Sequence, residues 1–474
     1  MPSLTVNSSL LFQDINDIQK QPLEKYVSTF NIIVKLHTEE KDLDYVDNVT
    51  IAGINILRDY IENITDYIEV KLTIPLGTFV YDVYPHLDNI EVTFITEKQL
   101  YNTKKPVLRT ERYKAVYLID KNTSIPTNTS QSRNDLNQNL PVVISLQLVD
   151  RSAETLRIKT TNGSFHNKIN PANTDMSPKS FIKSIISEEA NKILIENNPP
   201  IDSVFIEEPD NKEQIQALVL PSNTRIIEIP EILQVKSTGV YNAGIGNYIQ
   251  IFGKDPLNYE KTFFVYSLYN PAKYKDSEYK VIFYSPITSS QSTTDVTYKY
   301  KDKVLKILCH SVNKIRDSKE ASVMSTGSGF RSSNANSYMK KPIDIKPEGP
   351  SFNRNQLATE VVYKERKDGL NFSPNKSVSS NVFQLSSEVL QKQGSYVNIT
   401  VSNFDIDFIQ PGSACLINYE NKEYEVEELY GVIHQAVVAY TPVSGSLVTN
   451  IKQENNQLTC QVTFNVFAVP GLEI

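Results

Sequence analysis

Apolar and polar residues alternate along much of this chain, and the period is most often two. Over residues 28–36, Phe30, Ile32, Val34 and Leu36 share one face, as a half-buried strand requires. The same pattern predicts strands over 67–75, 79–84, 90–95, 112–120 and 142–150, then shorter ones over 155–160, 203–207, 280–284 and 296–307. It is strongest near the C-terminus, where 396–401, 414–419, 423–430, 432–440 and 458–467 read as an antiparallel set with turns at Gln410-Pro411-Gly412 and Glu420-Asn421-Lys422.

A period of three to four interrupts this at three places. Ile51, Ile54, Leu57, Ile61 and Ile64 predict a short helix over 48–64, against their β-branched content. A clearer helix spans 178–195: Ser177-Pro178 supplies a cap and a first-turn proline, Phe181, Ile182, Ile185, Ile186, Ala190, Ile193 and Leu194 form the stripe, and Pro199-Pro200 ends it. Ile226, Ile229, Ile232 and Leu233 mark a third. It leads through Gly239, Gly244 and Gly246 into a hairpin over 240–270, whose glycines suit positive φ or close approach. No strand feeds a helix through GxGxxG, so a nucleotide loop is not expected.

Composition fits a β-rich protein with polar connections: 26 Tyr, 19 Phe, no Trp and only 16 Gly among 474 residues. That length is enough for about two to four domains. The stretch 311–382, rich in Ser, Asn, Lys and Gly, is too long for an ordinary loop and reads as a surface excursion that orders in an assembly. A net charge of −7, with both signs mixed along the chain, gives no basic stripe for gripping nucleic acid. The first residues lack a charged region followed by an apolar run, and no 18 apolar residues run together, so a soluble product without membrane insertion is expected.

Chemistry is sparse. The five histidines, His37, His86, His166, His310 and His434, have no metal-binding spacing and read as turn or strand-surface residues. Cys309, Cys415 and Cys460 form no CxxC, and Cys309 and His310, adjacent on a strand, point to opposite faces. No GxSxG occurs. Asp405 and Asp407 share a strand face by alternation, and a solvated surface explains them better than a glycosidase pair. No catalytic residue, cofactor site or metal site is therefore assigned, and an enzyme is not expected. One acidic feature stands out: Glu423, Glu425 and Glu427 on one strand face repel one another and should be wet, either lining the lumen of a ring or on an ordinary outer surface.

The order of motifs carries a resemblance. Leu233-Gln234, then Gly239-Val-Tyr-Asn-Ala-Gly244, then Tyr266-Ser-Leu-Tyr269-Asn270 resembles the central hub proteins of contractile-tailed bacteriophage baseplates. Gly327-Ser-Gly-Phe-Arg331 and the sequence Pro411-Gly412, Tyr424-Glu-Val426, His434-Gln435 are similar to the same family. The resemblance implies a mainly β fold with two tail-tube-like antiparallel β-barrel modules and a helix-containing middle. The division it suggests is 1–150, 151–300, a polar region 301–390, and 391–474. It further implies a homotrimer in the virion, assembled in the host cytoplasm. Its partners would be tail tube proteins, a central spike protein and baseplate wedge proteins, with DNA passing through without specific binding. A wedge protein or receptor-binding adhesin is the alternative.

Overall fold

The computed structural model describes residues 27–44, 48–100, 107–118, 140–166, 177–191, 201–212, 217–236, 239–255, 258–285, 298–314, 330–332, 343–345, 395–420, 426–442 and 458–468. The first module holds β1 (Val27–His37), β2 (Asp42–Leu43), β3 (Thr50–Asp59), β4 (Tyr67–Pro75), β5 (Glu91–Leu100), β6 (Val107–Leu118) and β7 (Pro141–Val149). Its strands are all antiparallel, in the order β3-β4-β7-β6-β5-β1-β2. Ile32, Val34 and Leu36 of β1 are buried as their alternation predicts; the side chain of Phe30 lies outside the described residues.

Two elements differ from the sequence reading, each for a visible reason. Residues 50–59 form a strand, not a helix. The register of β3 shifts between Ile51 and Gly53, so Ile51 and Ile54 are both buried although three residues apart, which imitates a helical period. Residues 76–89, expected as a strand and turn, are instead a run of short helical turns. Leu76, Phe79 and Val83, spaced three and four apart, are buried there.

The middle region comprises α1 (Arg151–Ile158), β8 (Thr160–His166), α2 (Pro178–Asn191), β9 (Ser203–Ile206), β10 (Ala217–Arg225), α3 (Ile229–Lys236), β11 (Ile245–Asp255) and β12 (Asn258–Ser267). α1 takes up 155–158 of the strand expected over 155–160, because the Asp150 carboxylate accepts from the Ser152 and Ala153 N–H groups and caps a helix that starts at Arg151. β8 pairs with β10, while β11 and β12 form the expected hairpin with β9 parallel to β12. A separate core of Leu156, Ile182, Ile186, Leu233, Ile249 and Phe263 holds this region. Gly239 and Gly244 take φ of 81° each, and a Cβ on Gly246 would stand 2.6 Å from the Tyr266 ring.

The remaining strands are β13 (Lys280–Ser285), β14 (Tyr298–Lys301), β15 (Val304–Leu308), β16 (Ser311–Lys314), β17 (Phe330–Ser332), β18 (Ile343–Ile345), β19 (Ser395–Ser402), β20 (Ala414–Glu420), β21 (Val426–Pro442) and β22 (Leu458–Ala468). β17 and β18 pair only with each other, whereas β13 lies parallel to both β15 and β20. The second β module therefore draws β13 to β16 from the regions that the sequence reading divided at 300 and 390. From Val426 on, the expected strands 423–430 and 432–440 are one strand, β21, bending at a register shift between Ile433 and Gln435, while residues 423–425 lie outside the described residues.

β21 fuses the two modules. Its residues 435–440 pair antiparallel with Asp59 to Ile54 of β3, making one fifteen-stranded sheet. One face is apolar and buried: Ile399 and Val401 on β19, Val462 and Phe464 on β22, Ala436 and Val438 on β21, and Ile54 and Ile56 on β3. The other face consists of short rows set by register, Thr400-Thr463-Val437-Leu57 and Ser402-Gln461-Ala439-Asn55, with Asn398 and Asn465 beside them. These side chains are half-buried or exposed, and none is charged.

A buried ion-pair clamp between the modules

The polar centre of the molecule lies where its three regions meet. After β19 the chain turns through a 3-10 helix, Ile406–Phe408, capped by Asp405, whose carboxylate accepts from the Asp407 N–H at 3.1 Å. Asp405 and Asp407 are only 2% and 5% exposed, so they are not a solvated strand face. Alternation failed because the backbone is helical there. Each carboxylate is held by a different region of the chain.

Asp407 accepts from Arg58 Nη2 at 2.7 Å and from Arg109 Nη1 at 2.5 Å. Arg58 also donates through Nε and Nη2 to Asp66 at 3.1 and 3.0 Å, and through Nη1 to the Ile406 carbonyl at 2.9 Å. On β3, Arg58 follows Ile54 and Ile56 on the inward face, opposite the small Ala436 of β21, which leaves room for a guanidinium. Arg109, from β6, also reaches Glu111 at 3.4 Å, and Glu111 accepts from Tyr113. The middle region contributes Tyr248 of β11, donating to Asp66 at 3.0 Å, and Tyr259 of β12, donating to Asp405 at 3.0 Å. Six acidic or basic groups thus stand in one largely buried cluster, and every charge has a partner of opposite sign or a hydroxyl.

The electrostatics follow from burial. Desolvation works to discharge Arg58, but Asp66 and Asp407 outweigh it and hold its pKa above the ordinary arginine value. The same balance, with Asp407 and Glu111 as the carboxylates, raises Arg109. Asp66 moves up, because desolvation exceeds the pull of Arg58. Burial also raises Tyr248 and Tyr259, so both hydroxyls remain donors.

Aromatic packing seals the clamp. Phe408 lies against Tyr259, Tyr298 and Tyr300 with ring centroids 6.0, 5.9 and 5.2 Å away, and its carbonyl accepts from Tyr279. Gln250 donates to the Ile409 carbonyl at 2.6 Å, and Tyr266 to the Tyr60 carbonyl at 2.6 Å. His434, expected on a surface, is 1% exposed instead. Its Nε2 donates to the Leu268 carbonyl at 2.7 Å, its ring stacks on Phe467, and its own carbonyl accepts from the Tyr60 N–H at 2.9 Å.

The other residues singled out by sequence do not converge. Cys309, Cys415 and Cys460 are buried free thiols raised by desolvation, and His310 is exposed. Glu427 is exposed on β21 and accepts from Tyr419, while Glu423 and Glu425 lie outside the described residues. His37 sits between Asp42 at 2.7 Å and Thr93 at 2.6 Å, beside a cavity of about 690 Å³, which Thr93 does not line. The cavity's Arg112 and Arg151 are both paired with Glu91. No group of three or more His, Cys, Asp or Glu among the described residues could hold a metal, and no described helix is long and apolar enough to cross a membrane.

No protein-family model matches the chain, and no curated protein matches it. Solved structures do. The chain is similar to the 43 kDa tail protein of prophage MuSo2 from Shewanella oneidensis, at 10% identity and a TM-score of 0.46 over 92% of this chain and 96% of that one. A tail protein from Neisseria meningitidis MC58 is similar at 10% identity and a TM-score of 0.41, over 92% and 96% of the two chains. The Escherichia coli c3393 protein, described as a type VI secretion component similar to T4 tail proteins gp27 and gp5, is similar at 9% identity and a TM-score of 0.40, over 93% and 77%. The first two of these neighbours are described as tail proteins and the third as a type VI secretion component.

Proposed function

We propose that this chain is a structural protein of a phage-type tail, the central hub of a contractile baseplate. Three copies form a ring in which each contributes two β modules, so that six modules meet a sixfold tail tube on one side and a threefold spike on the other. Wedge proteins surround the ring, and DNA passes through it without being gripped. The protein acts by adapting symmetry and templating assembly, and catalyses nothing.

The observation that carries this reading is the fusion of the two modules. Pairing of β3 with β21 and the Arg58-Asp407-Arg109 clamp fix them within one rigid sheet. Two modules held at a fixed angle are what a threefold ring needs to present six equivalent positions; a flexible tether would let the positions drift. Light scattering on the purified protein across a concentration series tests the reading. A mass of three chains is expected, and a chain that stays monomeric at every concentration and on its spike contradicts it.

A further inference from the structure

The outer face of the fused sheet is unusual for a surface. From β19 across β22 to the second half of β21 and on to Asn55 and Leu57 of β3, no described outward residue is charged, although 22% of the chain is. The first charge met is Asp59 at the end of β3, and it is occupied by the Ile61 and Glu62 N–H groups and by Gln435. Beyond it, Glu69 and Lys71 of β4 pair with each other at 3.5 Å. Ordinary protein surfaces intersperse both signs at about a quarter to a third of positions, so this absence is a property of the face.

Two uses could explain an uncharged face, and the side chains distinguish them. A buried protein interface is depleted of charge but relies on aromatic and arginine anchors. Thr400, Ser402, Gln461 and Thr463 offer no such anchor, Tyr396 on the same side of β19 is taken up by His434 and Phe467, and the exposed amide and hydroxyls would each cost free energy if dried without partners. They suit a surface that stays hydrated. A wall of this kind also presents no ammonium or guanidinium to a phosphate backbone and no carboxylate to repel one.

We infer that this uncharged face of the fused sheet lines the passage of the ring, as a hydrated wall along which an extended polyanion slides. The assignment rests on the ring reading above. It moves the lumen from the acidic stretch around Glu427 to β19, β22, β21 and β3.

Cysteine labelling tests it, since all three native thiols are buried. Thr463→Cys and Thr400→Cys are placed singly in the full chain, the mass of each variant is measured, and each is treated with a small maleimide and with a maleimide carrying a bulky polyethylene glycol. In a ring whose passage these residues line, the small reagent reacts at both positions. The bulky one reacts at least about tenfold more slowly there than with the same variant unfolded in denaturant. Equal reaction with both reagents puts the face on the outside, and reaction with neither puts it between subunits; either overturns the assignment while leaving the ring intact. A native chain that never associates removes the ring itself, an outcome that the mass measurement identifies separately.

Discussion

Asp407 is the residue on which both β modules depend, because its two oxygens serve arginines from strands β3 and β6 of the other module. Replacing it with Asn leaves Arg58 with Asp66 and Arg109 with Glu111 as their remaining anions, and a loss of about 2–3 kcal/mol is expected in denaturant unfolding. A double-mutant cycle with Arg58→Met should show strong coupling, and simple additivity would mean that the clamp is not a unit. Asp405 and Asp407 were visible in the sequence as a pair, but their role was not. The arginines of Asp407 stand 349 and 298 residues away and the tyrosine of Asp405 stands 146 away, separations no local spacing encodes. His434 hid its burial in the same way, since the rings that cover it come from Tyr269, Tyr396 and Phe467. Burial pushes its pKa down to about 4, while the Leu268 carbonyl pulls weakly the other way. The native state therefore resists the proton that the unfolded chain accepts below its ordinary value of about 6.5. Stability present above pH 6.5 should be lost as pH falls from there to about 4, by up to about 3 kcal/mol from this one group. His434→Phe keeps a stacked ring and should flatten that part of the thermal-stability profile; an unchanged slope would assign it to other groups.

Among the elements, those whose burial alternates or repeats without interruption were legible. β4, β7, β19 and the β11–β12 hairpin lie where the patterns put them, and α2 begins at Pro178 as its cap predicts. The misread elements have local irregularities that shift the period. The bulge in β3 imitates a helix, and the helical turns after Pro75 carry too few residues to declare themselves against flanking strands. The 3-10 turn at Ile406–Phe408 is the element that joins the regions, and Phe408 is its apolar plug. Phe408→Ala should destabilise by about 3–5 kcal/mol, and a smaller loss would show that the surrounding tyrosines collapse into the space. The turn just after it is equally constrained. Gly412 has a φ of 63°, and a Cβ there would fall 2.1 Å from Tyr266, so Gly412→Ala is expected to lower the melting temperature by several degrees.

At the scale of the whole molecule, one sheet, one clamp and a ring of aromatic contacts make the two β modules and the helical middle into a single body. The mainly β class could be read from the chain, since it follows from strand periodicity. The fusion of the modules could not. It depends on β21 being long enough to pair with β22 on one side and β3 on the other, and partners such as Asp59 and Gln435, 376 residues apart, leave no mark in either strand's own pattern. That fusion is also what the functional account needs, because fixed pairs of modules let three copies imitate six. The most direct measurement is the rotational symmetry of the assembled particle seen end-on by electron microscopy. The account predicts a closed ring with six sheet modules around a central passage, sixfold at low resolution and threefold in fine detail. A ring built from any other number of chains, or particles with no closed ring under conditions where the tail assembles, would contradict it.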